Sequence, residues 1–115
     1  MEDKLKSILE HAVENKIPVI EAAVPDVFPC ITFHFYNVSG YLFGGGTATE
    51  VGAKCQVDLW YNKRTEPMKS AIKALKQAII NEKEYLYPQM ETSQEAGTKK
   101  WHTYFNFEVI IESEE

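Results

Sequence analysis

The sequence predicts an α+β fold: a mainly antiparallel sheet of four to five strands with two helices packed on one face. Three observations predict it. In residues 51–64, Ala53, Cys55, Val57, Leu59 and Tyr61 alternate with Lys54, Gln56, Asp58 and Trp60. That period of two is a strand with one buried face. A stripe of Met68, Ala71, Ile72, Leu75, Ala78 and Ile79 follows at once at helical spacing, and a second helical stripe opens the chain.

The first helix is predicted over residues 2–15. Leu5, Ile8, Leu9, Ala12 and Val13 share one face, Glu2 and Asp3 lie in the first turn, and Pro18 follows the end. Acidic residues suit the positive end of the helix dipole, and proline cannot continue the helix. His11 flanks the stripe as a boundary residue. Residues 17–29 carry Pro18, Pro25 and Pro29 and read as an irregular connection with a short extended piece at residues 19–22. A proline before an apolar run marks a strand entrance.

Strands are predicted over residues 29–38, 51–63, 84–91 and 99–111. In the first, Ile31, Phe33 and Phe35 form the core face and Thr32, His34 and Tyr36 the other. In the last, Trp101, Thr103, Phe105, Phe107, Val109 and Ile111 alternate with His102, Tyr104, Asn106, Glu108 and Ile110. Its length exceeds the usual five or six residues, so it bends at a bulge or runs past the sheet. Pro88 interrupts the strand at 84–91, and residues 93–97 are turn-like. Thr65 is the expected N-cap of the second helix, with Pro67 tolerated in its first turn. Lys69, Lys73 and Lys76 form its solvated face. The expected core is Leu9, Ile31, Phe33, Val57, Leu59, Leu75, Ile79, Phe105 and Phe107.

Residues 39–52, rich in glycine, read as a long mobile hairpin connection. Within them, residues 40–50 are expected to order only in an assembly. The segment lacks the Lys-Ser/Thr ending of a phosphate loop, and a strand follows it. Tyr41, Leu42 and Phe43 are apolar residues at its tip and suit a contact surface.

At 115 residues, 44% hydrophobic and 25% charged, the chain reads as one globular domain. Its net charge of −5 argues against a surface that grips phosphates. No apolar run is long enough to span a membrane, and the charged N-terminus lacks a signal peptide's apolar core, so a cytoplasmic setting is expected. Cys30 and Cys55 sit in opposite strand phases, which disfavours a disulfide. Cys30 and His34 share a face but stand about 13 Å apart on a strand, too far to share an ion. Asp26, Asp58 and Glu108 are scattered over different elements. No catalytic constellation, metal set or cofactor motif is legible.

Three stretches carry a resemblance: Phe28-Pro-Cys-Ile-Thr-Phe33, Cys55-Gln-Val-Asp-Leu-Trp60, and Glu91-Thr92 with Lys100-Trp-His-Thr-Tyr-Phe105. Together with the order of elements, they resemble the tail-terminator, or tail-completion, proteins of long-tailed bacteriophages, also called head-tail joining or minor structural proteins. The resemblance covers nearly the whole chain and rests on strand patterns rather than a reactive motif. It implies a non-enzymatic subunit of a ring, commonly a hexamer, on the end of the tail tube. The implied partners are other copies, the tail-tube protein and the head connector. DNA would pass through the channel without specific binding, and no cofactor or membrane is implied. The implied location is the virion, at the tail or head-tail junction, after assembly in the host cytoplasm.

Tyr36, Trp60 and Tyr104 are expected to cluster on the sheet face away from the helices, and aromatics there mark an interaction surface. The bland reading is that a third layer of this chain covers them. The other functional class is a small-molecule-binding or enzymatic domain, in which these aromatics line a pocket with His34 and His102.

Overall fold

The structure is a computed structural model describing residues 2–21, 27–43 and 47–112; side chains at 2, 37–43, 47–52, 87 and 110–112 lie outside the description. The elements run α1 (Glu2–Ala12), β1 (Val19–Glu21), β2 (Cys30–Phe43), β3 (Thr47–Tyr61), α2 (Glu66–Ile80), β4 (Tyr85–Gln94) and β5 (Trp101–Glu112). They form one five-stranded sheet in the order β1-β2-β3-β5-β4. Three neighbouring pairs are antiparallel, and β1 joins β2 in parallel, so the sheet is mixed at one edge.

The predicted strand phase holds. Val57 and Leu59 are fully buried, with Phe33, Ile31, Phe105 and Phe107 on the same face. Leu5, Leu9 and Val13 of α1 and Ala71, Ile72, Leu75 and Ile79 of α2 pack onto that face. Every residue of the expected core is buried. Burying a leucine or phenylalanine side chain contributes roughly 1.5–3 kcal/mol, so this two-layer contact is the main source of cohesion. Among the described residues no helix is long and apolar enough to cross a membrane.

The core face also carries polar groups, each paired. Thr103 is fully buried, and its hydroxyl lies 2.9 Å from that of Tyr61 and 2.8 Å from that of Thr92. Arg64 donates to the Tyr61 hydroxyl at 3.0 Å. Such pairing offsets the cost of taking hydroxyls out of water.

Several boundaries differ from expectation. Helix α1 stops at Ala12 rather than 15, because Glu14 (φ 56°) and Asn15 (φ 58°) take the left-handed conformation. The Asn15 amide then closes back on the Glu10 carbonyl at 2.9 Å. Thr65 occupies the N-cap position of α2, with Pro67 in the first turn, but its side chain makes no capping bond.

The largest correction concerns the glycine-rich segment. It is not a loop over 39–52: β2 continues to Phe43, and β3 begins at Thr47. Register partners run from Ser39 with Gly52 to Phe43 with Thr47. Register shifts fall between Tyr36 and Ser39 and between Tyr41 and Leu42. The ladder supplies backbone hydrogen bonds that outweigh glycine's weak strand preference, as tertiary context commonly does. Strand β5 neither bulges nor leaves the sheet; its twelve residues all pair with β3. The irregularity lies instead in β4, between Leu86 and Gln89, where Pro88 cannot donate to the ladder.

The cysteines are buried at separate points of the β2–β3 ladder. Cys30 is the register partner of Trp60, and Cys55 that of Phe35. Five residue steps along the ladder, about 17 Å, are too many for a disulfide.

Candidate functional site: the open face of the sheet

Both helices cover one side of the sheet, and no described element covers the other. The alternative of a third layer therefore finds no support among the described residues. Residues opposite each other in register share a face, which builds the open side row by row across β2, β3, β5 and β4. The rows are Cys30, Trp60, His102 and Ser93; then Thr32, Asp58, Tyr104 and Glu91; then His34, Gln56, Asn106 and Gln89. Tyr36, Lys54 and Glu108 follow.

The first two rows form a tightly bonded group. The Trp60 indole stacks on the His102 imidazole with centroids 4.0 Å apart and planes 5° from parallel. Its N–H donates to Thr32 Oγ1 at 2.9 Å. His102 Nε2 donates to Asp58 Oδ1 at 2.5 Å, and Gln56 Nε2 donates to the same oxygen at 2.9 Å. The Asp58 side chain is only 2% exposed. A carboxylate so buried needs such donors, because an unpaired buried charge is costly. The Tyr104 ring lies 5.4 Å from that of His102, and its hydroxyl donates to Glu91. That bond is the main reason the Tyr104 phenol titrates above its ordinary range, with desolvation adding to it. A phenolate could no longer donate it.

A second group lies farther along the sheet. The rings of His34 and Tyr36 are 5.6 Å apart, and the Tyr36 hydroxyl donates to Asn106 Oδ1 at 3.3 Å. His34 Nδ1 is buried without a hydrogen-bond partner among the described residues.

Tyr36, Trp60 and Tyr104 thus all lie on the open face, as their strand phases predict. They are not one cluster. Trp60 and Tyr104 meet through His102, whereas Tyr36 sits six residues away along the ladder, about 20 Å from Trp60. Tyr41, Leu42 and Phe43 lie in the outer half of β2, paired in backbone with β3 rather than at an irregular tip. Their side chains fall outside the described residues.

The sequence reading missed the union of Asp58 with His102, which it left scattered. A partial signal was present: Asp58 shares a phase with Trp60, and His102 shares one with Tyr104. Register alone turns that into contact, by setting Trp60 opposite His102 and Asp58 opposite Tyr104.

Ser93 is the register partner of His102 but makes no hydrogen bond to it. Among the described residues no hydroxyl or thiol is hydrogen-bonded to the His102 imidazole. No group of metal-ligating residues occurs among the described ones. A hollow of about 240 Å³ on this face is lined by Tyr36, Lys54, Gln89, Asn106, Phe107 and Glu108, without Trp60 or either histidine. Larger hollows, of about 380 and 450 Å³, lie in the helical layer.

No family model matches this chain, and no curated protein sequence matches it. Among solved structures, it is similar to a chain in the structure described as the virion of a native gene transfer agent particle. The TM-score is 0.63 at 11% identity, over 93% of this chain and 86% of that one. At that identity the likeness is one of fold.

Proposed function

We propose that this chain is a phage-type virion subunit that closes the tail tube as a ring, commonly hexameric, and joins tail to head. The observation that carries the reading is the uncovered sheet face, where Trp60, His102 and Tyr104 are locked by Asp58, Thr32 and Glu91. Side chains held in place before binding lose little entropy on docking, and tryptophan and tyrosine are common anchors of subunit contacts. The polar neighbours Gln56, Lys54, Asn106 and Glu108 suit a partly wet interface. The fold shared with a gene transfer agent virion chain supports the same reading.

In this reading the partners are other copies, the tail-tube protein and the head connector. DNA crosses the ring lumen, and a net charge of −5 favours passage over retention. The protein resides in the virion and in the host cytoplasm before assembly. The reading is of a non-enzymatic subunit: among the described residues, the imidazole–carboxylate pair of His102 and Asp58 has no hydroxyl or thiol hydrogen-bonded to it.

The test is complementation of a phage lacking its own terminator, in the protein's native phage background, with tail lengths read by electron microscopy. Wild-type chain should restore tails of one fixed length. Tails that stay heterogeneous in length despite normal expression would defeat the reading. A small-molecule role has no specific supporting observation among the described residues: the hollow on this face is lined without Trp60, His34 or His102.

A further inference from the structure

The sheet order leaves β1 and β4 as its two edges. An open edge presents unpaired N–H and C=O groups, and native sheets blunt it with shortness, charge, proline or a bulge. Strand β1 is only three residues long. Strand β4 is ten residues long, and only its first half is blunted, by Pro88 and the register shift between Leu86 and Gln89. From Gln89 to Gln94, six residues pair in unbroken register with Asn106 to Trp101 of β5. That stretch holds no lysine and no proline, and its one charge, Glu91, accepts a hydrogen bond from Tyr104. Among the described residues no strand pairs with its outer side.

Apolar surface meets the same edge. Met90 lies opposite Phe105 in register and so is on the helical side of the sheet, yet it stays 44% exposed. Ile80, the last residue of α2, is 49% exposed. Together with Phe105 and Pro88 they line a hollow of about 250 Å³ between α2 and β4. An added strand uses both features: the ladder groups supply affinity, and uncovered apolar side chains fix the register.

We propose that this edge receives β4 of a second copy of the chain, antiparallel, about a two-fold axis at Met90. The occupant follows from the edge's own complementarity. Side chains alternate along a strand and directly opposed residues share a face, so β4 paired with itself must centre on a residue. A centre on Glu91 would oppose two carboxylates, which is destabilising. A centre on Thr92 would set each Met90 against Gln94 and keep the methionines apart. A centre on Met90 brings the two methionines together between both copies of Ile80. It also sets each Glu91 opposite Gln89 of the other copy, whose amide can donate to it. The contact closes after two copies, so it is isologous and differs from the contacts that build a ring. It makes a dimer of the free chain that covers the β4 edge, and it does not rest on the tail reading.

Sedimentation equilibrium and amide hydrogen exchange on the full chain test this. Wild type should dimerise with a Kd below about 1 mM. Amides within residues 89–94 should exchange more slowly at high protein concentration than at low. Met90→Lys and Met90→Glu each remove the apolar contact and place like charges across the axis, so each should weaken dimerisation about tenfold or more. Mixed in equal amounts, the two variants should associate, because opposite charges then face each other. Circular dichroism and melting should show both variants folded. Wild type that stays monomeric up to about 1 mM would overturn the proposal and leave the edge to a different protein. Dimers whose 89–94 amides exchange as fast as the monomer's would overturn it too, as would folded variants that stay apart when mixed. The exchange measurement uses wild type alone, so it decides the matter even where a substitution unfolds the chain.

Discussion

Trp60→Phe separates two contributions of the open-face tryptophan. Phenylalanine keeps a ring over His102 but removes the indole N–H that donates to Thr32 Oγ1 at 2.9 Å. Thr32 is fully buried, and its hydroxyl has no other side-chain partner among the described residues. Leaving it unsatisfied costs about 1–3 kcal/mol, so Trp60→Phe should destabilise the fold by about 2 kcal/mol. Thr32→Val removes the acceptor instead. The indole is only half-buried, so water can replace the lost partner, and the expected cost is about 1 kcal/mol. Removing both partners strands neither, so the double variant should cost about 2 kcal/mol rather than 3, a coupling of about 1 kcal/mol. Trp60→Ala also loses the stack and its buried area, and should cost about 3–4 kcal/mol. Urea unfolding followed by far-ultraviolet circular dichroism gives these values by linear extrapolation. Single-variant costs that add to within about 0.3 kcal/mol would refute the bonded geometry. The same series bears on assembly. Trp60→Phe should retain ring formation under conditions where it is folded, and Trp60→Ala should lose it. Equal assembly in both variants would remove Trp60 from the interface.

His102→Ala should destabilise the fold by about 3 kcal/mol, because it leaves the buried Asp58 carboxylate with Gln56 alone, and adding Asp58→Asn should recover part of that loss in the same urea assay. Tyr85 titrates above its ordinary range, chiefly through burial, with Glu82, Cys55 and Glu84 adding to the shift. Its neutral form is favoured in the folded state, so this stability is present below about pH 10 and is lost as pH rises beyond it. Tyr85→Phe should therefore flatten the fall of melting temperature at alkaline pH while changing little at neutral pH. Glu14→Gly should stabilise the fold by up to about 1 kcal/mol, because glycine adopts φ 56° without the penalty that glutamate bears; a loss of stability on urea unfolding would contradict this.

Residue order by itself determined the phase of each long strand and the apolar face of each helix. Side-chain direction in a strand reverses every residue, so Val57 and Leu59 had to face together and Trp60 had to face away. The buried set follows from that local rule and from the advantage of removing apolar surface from water. Pro67 likewise marked the start of α2 through backbone chemistry alone. Phase does not contain register, however. Whether His102 lies beside Trp60 or several residues away depends on how β5 aligns with β3, and the two residues are 42 positions apart in sequence. Tertiary alignment alone therefore decided that Asp58 and His102 meet and that Tyr36 stands apart from Trp60. The extent of the β2–β3 hairpin belongs to the same class. Its glycines disfavour a strand locally, and only the backbone bonds of a neighbouring strand reverse that preference.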